Sequence, residues 1–433
     1  MAKKKQELSP EERLAAALVP EEEQPYELPE GWKWVYLGKI MEWTSGGTPS
    51  RKHVEYYNGD IPWVKTGELN DGYINDTSEK ITEEAIKCSS AKVMPVHTVL
   101  LAMYGATIGR VAILNIKAAT NQACACGICS EWIYFKFLFY FLKSQKNHFI
   151  NLSKGGAQPN ISQTIIKKSK MPLVEYAEQK RVVSCIESLF AKLDAAKEKV
   201  QSVLDAHEAR KAALLHDAFT GKLTAKWRTE QGIDENVYRR VPLAEVCNSI
   251  FDGDHMPPPK SSSGIPFLVI SNVNTGKVNF SDTRFVPQDY YDALTDTRKP
   301  QNGDVLYTLV GTYGIPVLVD TDQAFCFQRH MALLKPREDT VLQKYLWYAL
   351  QEKNFYREAT KIAKGTAQLT VPIKGLRQLT IPMASLLEQQ EIVRILDRLL
   401  GREETVRQSA ESVLESIDRM KQSILARAFR GEL

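Results

Sequence analysis

Basic and aromatic side chains cluster in short, glycine-containing loops of this sequence. Arg51-Lys52-His53 follows the turn Gly46-Gly47-Thr48-Pro49 and precedes Tyr56-Tyr57. We expect the turn to be flexible and the loop to place cations on phosphates, or an arginine on the O6 and N7 atoms of guanine. A solvated basic loop without a ligand is the alternative. The chemistry indicated is contact with nucleic acid.

A second loop, Tyr104-Gly105-Ala106-Thr107-Ile108-Gly109-Arg110, has glycines on both sides of a polar tip and ends in an arginine. Its backbone could approach a phosphate closely, with Tyr104, Thr107 and Arg110 as candidate contacts. A tight hairpin that serves only the fold explains the pattern equally well. Lys65, which follows the apolar residues 61–64, is a further candidate cation.

A third loop occurs twice, as Lys154-Gly155-Gly156-Ala157-Gln158-Pro159-Asn160 and as Lys364-Gly365-Thr366-Ala367-Gln368. Each copy puts a lysine suited to phosphate near a glutamine able to pair with an adenine edge. Because the copies are alike, positioning on the DNA backbone or a structural turn is favoured over base reading. The second half of the chain offers comparable polar loop residues. They are His255, Lys260, Asn272, Tyr313, Arg329 and His330.

Sequence motifs of catalysis are missing from the chain. There is no Gly-x-x-x-x-Gly-Lys-[Ser/Thr] loop for ATP, no Gly-x-Gly-x-x-Gly, no His-Glu-x-x-His and no Asn/Asp-Pro-Pro-aromatic signature of an amino-methyltransferase. Cys124, Cys126 and Cys129 have the spacing of a partial metal site, but no second ligand pair follows. We expect Cys124 and Cys126 to be buried small residues on one face of a strand.

Composition points to an ordinary globular chain of 433 residues, with 43% hydrophobic and 25% charged residues. A net charge of +4 is too small to bind nucleic acid by bulk charge, so positive charge must be focused in particular loops. The N-terminal segment lacks the apolar run of a secretory signal, and the longest apolar run, residues 132–142, is too short to span a bilayer. Seven cysteines in such a chain favour a reducing cytoplasm.

Two long helices are expected to position the loops. Residues 172–223 align without a gap on residues 382–433 at a constant offset of 210, which makes the molecule an internal duplication. Seam residues alternate at spacings of four and three, the pattern of a two-helix coiled coil. The predicted seam comprises Val182, Ile186, Leu189, Leu193, Ala196, Val200, Val203, His207, Arg210 and Leu214 in one helix, and Ile392, Leu396, Leu399, Glu403, Val406, Ala410, Val413, Ile417, Met420 and Ile424 in the other.

The ends of both helices carry capping signals. Ser385-x-x-Glu388 predicts a capping box, and Gly221 and Gly431 stand where a left-handed residue ends each copy. About 40 residues give a rod of roughly 60 Å, too long for a simple turn to connect two of them. The chain between the helices must therefore be a domain.

The remaining sequence predicts two domains of mixed α/β (α+β) class. In the first, we expect strands within residues 32–40, 61–64 and 99–103, a hairpin at Asn70-Asp71-Gly72, and helices within residues 82–91 and 132–149. A short helix capped by Ser9 should precede it. The predicted organisation is an N-terminal extension (1–27), a first domain (28–170), a first helical spacer (171–236), a second domain (237–380) and a second helical spacer (381–433).

A set of short motifs in this order resembles a known family. The motifs are Leu28-Pro29-Glu30-Gly31-Trp32, Ser45-Gly46-Gly47-Thr48-Pro49-Ser50, Tyr104-Gly105-Ala106-Thr107-Ile108-Gly109, Asn121-Gln122-Ala123, Met171-Pro172-Leu173 with Glu178-Gln179, Gly221-Lys222-Leu223-Thr224-Ala225-Lys226-Trp227-Arg228, and Ile381-Pro382-Met383 with Glu388-Gln389. Over residues 28–433 the chain resembles the specificity subunit of a type I restriction-modification enzyme.

The resemblance implies a non-catalytic subunit in which each domain is a target recognition domain that reads one half of a bipartite, asymmetric site on double-stranded DNA. It also implies that the antiparallel helices set the spacing and dock two methyltransferase subunits, which restriction and translocase subunits then join. S-adenosylmethionine, ATP and Mg²⁺ would belong to those partners, and no membrane would be involved. The alternative is an enzyme with its own active centre and a coiled-coil dimer interface, against which the missing motifs count.

Overall fold

A computed structural model describes residues 9–153, 159–233, 238–253, 258–366 and 368–433. The chain divides into two compact units. Unit 1 comprises Met1–Lys199 with Val413–Leu433, and unit 2 comprises Val200–Ser412. Each of the two long helices contributes residues to both units.

Unit 1 contains short strands and helices followed by the first long helix. Its strands are β1 Lys33–Tyr36, β2 Glu42–Ser45, β3 Tyr57–Val64, β4 Tyr73–Ile74, β5 Lys80–Ile81, β6 Val93–Met94, β7 Val99–Ala102, β8 Val111–Leu114, β9 Ala118–Thr120, β10 Cys124–Ile128 and β11 Lys170–Leu173. Its helices are α1 Pro10–Ala17, α2 Leu37–Ile40, α3 Glu83–Lys87, α4 Phe135–Ser144, α5 Lys146–Leu152, α6 Gln163–Lys168 and α7 Tyr176–Phe219.

Unit 2 repeats this plan and ends with the second long helix. Its strands are β12 Arg239–Pro242, β13 Cys247–Asp252, β14 Ile265–Leu268, β15 Arg284–Val286, β16 Val305–Thr308, β17 Pro316–Leu318, β18 Cys326–Phe327, β19 Met331–Pro336 and β20 Thr380–Met383. Its helices are α8 Ala225–Gln231, α9 Leu243–Val246, α10 Gln288–Asp292, α11 Gln343–Gln351, α12 Lys353–Ile362, α13 Ile373–Gln378 and α14 Leu386–Ala428.

Strand order shows that the two units share a common topology, to which unit 1 adds the edge strands β4 and β6, without counterparts among the described residues of unit 2. Unit 1 has sheets ordered β2-β10-β7-β8-β4 and β5-β3-β9-β6 and a ribbon β1-β11, while unit 2 has β13-β19-β16-β17, β15-β14-β18 and β12-β20. The parallel pair β3 and β9 corresponds to the parallel pair β14 and β18. The predicted fold class, a duplicated mixed α/β domain, is confirmed.

Aromatic side chains of the helices that follow each main sheet fill the cores. In unit 1, the rings of Phe137 and Phe141 on α4 lie 5.0 and 5.4 Å from that of Phe429. In unit 2, the ring of Tyr345 on α11 lies 5.2 Å from that of Phe219 at the end of α7. Each sheet domain is thereby packed onto the end of a long helix.

The long helices have 44 and 43 residues and pack together. In unit 1, Lys421 pairs with Asp194 at 2.5 Å and Lys197 with Asp418 at 3.4 Å, so the two helices run antiparallel there. In unit 2, Arg210 pairs with Glu403 at 2.8 Å. Gly221 and Gly431 have φ values of 79° and 74°, which confirms the predicted left-handed helix ends.

The predicted seam is correct at only part of its positions. Leu396 and Ile417 are 0% and 3% exposed, and His207 is also buried. Val406, Val413 and Met420, predicted to lie in the seam, are 45%, 43% and 50% exposed, and Val203 is 37% exposed. At the neighbouring positions 407, 414 and 421 the side chains are partly buried instead.

A buried glutamine anchors the start of each long helix to its own unit. The Gln179 amide donates to the carbonyls of Trp132 and Val174, both at 2.8 Å, and accepts from Tyr134 N at 2.9 Å. Gln389 does the same in unit 2. It donates to Thr340 O at 3.1 Å and Ala384 O at 2.9 Å, and it accepts from Leu342 N at 2.9 Å.

The predicted capping box at Ser385 is only half formed. Ser385 Oγ accepts from Glu388 N at 3.3 Å. The Glu388 carboxylate does not return to the cap, because it accepts from Thr224 Oγ1 and the Tyr238 hydroxyl, both at 2.6 Å, and from Arg228. Glu388 thus fastens the segment after α7 to the start of α14.

Three local predictions for unit 1 need correction. The alternating stretch at residues 32–40 forms β1 and then turns into α2, and residues 132–149 form two helices rather than one. Asn70-Asp71-Gly72 is not a hairpin, because β4 after it pairs with β8 in parallel. By contrast, α1 is capped by Ser9 as predicted, and Ser9 forms a capping box with Glu12. No helix within the described ranges is long and apolar enough to cross a membrane.

Candidate nucleic-acid interface

Several loops of unit 1 leave its five-stranded sheet at the same end. Ser45 at the end of β2 pairs with Ala125 near the start of β10, and Ala102 at the end of β7 pairs with Cys124. β8 begins beside the end of β7. Loops 46–56, 103–110 and 121–123 therefore emerge together, and we call this side of unit 1 the loop end.

The second sheet of unit 1 brings Lys65 to the loop end as well. β3 and β9 are parallel, with Val64 opposite Thr120, so the residues that follow both strands lie side by side. Asn121 N donates to Val64 O at 3.0 Å. Lys65 is thus placed beside the loop that starts at Asn121.

The Gly46-Gly47 turn is tightly packed, contrary to the prediction that it is flexible. A β-carbon at Gly46 would lie 1.8 Å from the Thr120 carbonyl oxygen. Gly47 N donates to the same oxygen at 2.9 Å, and the Trp63 indole donates to Gly47 O at 3.1 Å. The glycines permit close approach to β9, which holds the following basic loop in place.

Arg51, Lys52 and His53 differ in their surroundings. Arg51 donates to Glu79 at 2.7 Å and stacks over the Tyr57 ring, with its guanidinium carbon 4.2 Å from the ring centroid. His53 Nδ1 lies 2.8 Å from the Glu55 carboxylate, and its ring stacks on Tyr56. Lys52 is exposed, and no ion pair to its ammonium occurs among the described residues.

Lys65 shares the partner of Arg51. Its ammonium donates to the other oxygen of Glu79 at 2.7 Å. The hydrogen bond from Lys65, with that from Arg51, lowers the pKa of the Glu79 carboxyl. The carboxylate therefore remains ionised between two cations.

The 104–110 loop also lies at the loop end. Tyr104 is 46% exposed and forms a bridge to Asn160, which is exposed too. Thr107 Oγ1 donates to Tyr104 O at 3.0 Å, so this hydroxyl stabilises the loop. Gly105 and Gly109 have positive φ values of 64° and 79°. Arg110 is exposed, and it has no ion pair within the part of the chain that the structure describes.

Three predicted residues cannot be placed. Lys154, Gln158 and His255 lie outside the described residues. Their counterparts in the repeated loop, Lys364 and Gln368, are described and are both exposed.

Unit 2 repeats the hydrogen bonds that join the loops in unit 1. Met103 N bonds Ala123 O and Ile161 N bonds Met103 O, each at 2.9 Å. Leu309 N bonds His330 O at 2.7 Å and Val371 N bonds Leu309 O at 2.8 Å in unit 2. The loop after β18 is fastened like that after β9, since Gln328 N donates to Leu268 O at 3.0 Å. Each unit therefore has its own loop end.

Among the predicted residues of unit 2, the exposed ones are Lys260, Arg329, Lys364 and Gln368. His330 is half-buried, and its pKa is lowered by burial and by the neighbouring Arg329. Its imidazole is therefore more readily neutral than a free histidine. Within the described residues, Lys260, Arg329 and Lys364 have no ion pair.

Asn272 and Tyr313 were predicted to contact DNA, but this prediction needs correction. Both side chains are buried and hydrogen-bonded inside unit 2. Asn272 is 5% exposed, accepts from Val269 N at 3.0 Å and donates to Ser281 O at 3.1 Å. Tyr313 is 9% exposed, donates to Thr360 Oγ1 at 3.1 Å and stacks on Tyr356. We assign both side chains to the fold.

Two residues at the loop end of unit 1 were missed as candidates. Glu79 pairs with Arg51 and Lys65, which lie 28 and 14 residues away, so no local motif indicates it. Gln122 is exposed and accepts a hydrogen bond from Thr48. Its position inside the Asn121-Gln122-Ala123 motif was the available signal.

The prediction that Cys124 and Cys126 are buried in a strand is confirmed. Both are fully buried in β10, and burial raises the pKa of the Cys126 thiol to about 11. All seven cysteines are free thiols. No group of three or more His, Cys, Asp or Glu side chains able to hold a metal ion occurs among the described residues.

Comparison with known proteins identifies the family. A family model described as the type I restriction modification DNA specificity domain matches residues 29–204 and again residues 240–414. The chain is 24% identical over 424 residues to the type I restriction enzyme EcoKI specificity subunit of Escherichia coli strain K12, with 94% of this chain and 90% of that one covered. It is 22% identical over 428 residues to the MjaVIII specificity subunit of Methanocaldococcus jannaschii, with 94% of each covered.

Solved structures show the same fold. The crystal structure of the HsdS subunit from Thermoanaerobacter tengcongensis matches with a TM-score of 0.59 at 23% identity, over 95% of this chain and all of that one. A structure from work on complex assembly and conformational transition of the type I R-M system matches with a TM-score of 0.74 at 23% identity, over 94% of this chain and all of that one. The chain therefore belongs to the family of type I restriction-modification specificity subunits, with two tandem copies of the DNA specificity domain.

Proposed function

We propose that the loop end of each unit binds one half of a bipartite, asymmetric target on double-stranded DNA. The observation that carries this proposal is that the same backbone arrangement of loops occurs in both units. Equivalent backbone hydrogen bonds join the loops in both units, while the side chains on the loops differ. Two domains that bind different DNA sequences are expected to share a loop backbone and to differ in the side chains on it.

Unpaired cations support the proposal. Lys52 and Arg110 in unit 1, and Lys260, Arg329 and Lys364 in unit 2, are exposed and without an ion pair among the described residues. Such side chains suit phosphate contacts, which position a protein on DNA without reading bases. Base reading then requires side chains held in fixed directions at the same loop ends.

The helices have a second role in this proposal, as spacers and as docking sites for two methyltransferase subunits. At 1.5 Å per residue, a 44-residue helix is roughly 65 Å long. On α14, Val406, Val413 and Met420 recur every seven residues and are 43–50% exposed. Apolar side chains at heptad spacing on an open helix face suit packing against a partner helix.

The chain itself is proposed to be non-catalytic. Methyl transfer from S-adenosylmethionine and ATP- and Mg²⁺-dependent cleavage would reside on methyltransferase and restriction subunits. In this view the purified chain contributes sequence selection alone. Support comes from the two relatives compared above, which are specificity subunits of type I restriction enzymes.

Calorimetric titration of the purified full chain with S-adenosylmethionine, together with selection of duplexes from a random library, tests this function. We expect no heat of S-adenosylmethionine binding and recovery of one bipartite sequence. Binding of S-adenosylmethionine with methylation of DNA by the chain alone would establish the enzyme alternative. Failure to enrich any sequence would contradict the reading role.

A further inference from the structure

The Arg51 guanidinium at the loop end of unit 1 is fixed on three sides. Nη2 donates to Glu79 Oε2 at 2.7 Å, and the guanidinium carbon lies 4.2 Å from the Tyr57 ring centroid and 5.4 Å from that of Trp63. The side chain is nevertheless 56% exposed. An arginine in this position has a defined plane and an open edge.

Glu79 is itself held firmly. Its carbonyl oxygen accepts from Trp63 N at 3.1 Å and from Thr77 Oγ1 at 2.7 Å. Its carboxylate accepts from Lys65 on one oxygen and from Arg51 on the other. Because two cations share one carboxylate, the group as a whole is cationic and does not repel DNA.

Lys52 is the contrasting case in the same loop. Its ammonium is exposed and has neither an ion pair nor an aromatic ring beside it among the described residues. A flexible point charge suits phosphate, which needs no particular side-chain plane. A planar guanidinium with a fixed orientation suits a flat, two-acceptor partner.

We propose that Arg51 reads a guanine in the half-site bound by unit 1, and that Glu79 is the positioning residue that aims it. This inference rests on the proposed DNA-binding function. Glu79 takes one of the two Nη2 hydrogens, so the other Nη2 hydrogen and a hydrogen of Nη1 or Nε still form an open edge of the guanidinium. Two donors of one guanidinium match the O6 and N7 acceptors of guanine in the major groove.

The rival interpretation is that Arg51 only ties its loop to Glu79 for stability. Arg51→Lys distinguishes base reading from a purely structural role. Lysine keeps the charge and can reach the Glu79 carboxylate, but it lacks the planar pair of donors that a guanidinium offers. Asp60→Asn is the matched control for Glu79→Gln. Asp60 is an exposed carboxylate on β3 without an ion pair among the described residues, so the change in charge is the same.

The experiment uses the full chain and the duplex that the wild-type protein selects from a random library. Dissociation constants are measured at one salt concentration for that duplex, for each single base-pair replacement of it, and for an unrelated duplex. We expect the wild type to discriminate one G·C pair by roughly 5- to 150-fold. Arg51→Ala and Arg51→Lys should abolish that discrimination at that pair alone, and Glu79→Gln should reduce it at least threefold.

Arg51→Lys should keep the wild-type discrimination at all other base pairs and the wild-type affinity for the unrelated duplex. Asp60→Asn should keep the wild-type discrimination at every base pair. The inference is overturned if Arg51→Lys keeps the full discrimination, or if Arg51→Ala weakens all duplexes equally. A selected half-site without a G·C pair sensitive to Arg51 would overturn it too. If the wild type selects no sequence, the proposed function fails instead.

Discussion

Lys52 and Arg51 are neighbours in the sequence but differ in how they are held. Arg51 is stacked on Tyr57 and bonded to Glu79, whereas Lys52 is exposed without an ion pair among the described residues. Arg110, on the next loop, resembles Lys52 in this respect. The distinction separates side chains suited to reading a base from side chains suited to neutralising phosphate.

Lys52→Ala and Arg110→Ala should each weaken binding to all duplexes by a similar factor, because a phosphate contact carries no sequence information. The slope of log K against log salt should become less steep by about 0.9 for each change. Titrations of a specific and an unrelated duplex between low and moderate salt measure this. Lys33→Ala is the control, because this exposed lysine lies on the separate β1-β11 ribbon. An unchanged slope for Lys52→Ala would remove this residue from the interface.

Residue type indicated these cations in the sequence, but it could not show which polar side chains are buried. Tyr313 bonds Thr360, 47 residues further along the chain, and Asn272 closes a turn through Ser281. Glu79 was missed for the same reason, since its partners are distant in sequence. Polarity in a loop predicts solvent or ligand contact only when tertiary packing leaves the side chain open.

At the scale of elements, the long helices were predictable because their repeat and their glycine ends are local features. It was not predictable from the repeat which positions of each helix lie in the seam. Lys421 packs its stem over Phe190, with the ammonium 5.2 Å from the ring, and pairs with Asp194. A long charged side chain can therefore occupy a seam position that the apolar Met420 beside it was predicted to fill.

Leu396→Asp and Val413→Asp should affect different properties, because Leu396 is 0% and Val413 43% exposed. Leu396→Asp should lower the free energy of unfolding by about 2–5 kcal/mol from lost packing alone, and further by burying a charge. Val413→Asp should leave unfolding nearly unchanged and weaken methyltransferase binding. Chemical denaturation and a pull-down with the methyltransferase measure the two effects. Equal destabilisation by both would contradict the assigned helix faces.

The glutamine side chain at the start of each long helix can be buried because it makes three hydrogen bonds to backbone groups. Gln389→Leu should lower the free energy of unfolding of unit 2 by roughly 2–4 kcal/mol, since it leaves Leu342 N and two carbonyls without partners. Gln390→Leu next to it is the matched control, because Gln390 is exposed. Urea denaturation of the full chain compares them. A loss no larger than that of Gln390→Leu would show that the clamp adds no stability.

At the scale of the molecule, duplication was evident from the constant offset of 210 residues between the helical segments. The sheet order of the domains was not, because strands as short as two residues pair across long separations. Strand pairing of this kind depends on tertiary contacts that a local pattern does not encode. The two units nevertheless share the order of the strands that both contain, together with the hydrogen bonds that join the loops.

In the proposed function, two separate domains each read one part of a single DNA target. Exchange of residues 237–380 for the equivalent domain of a relative, followed by mapping of modified bases in DNA from cells that carry the chimera and its methyltransferase, tests it most directly. We expect one half-site to change, while the other half-site and the length of the unread spacer stay as in the wild type. A change in both half-sites, or a target that proves to be continuous, would contradict it.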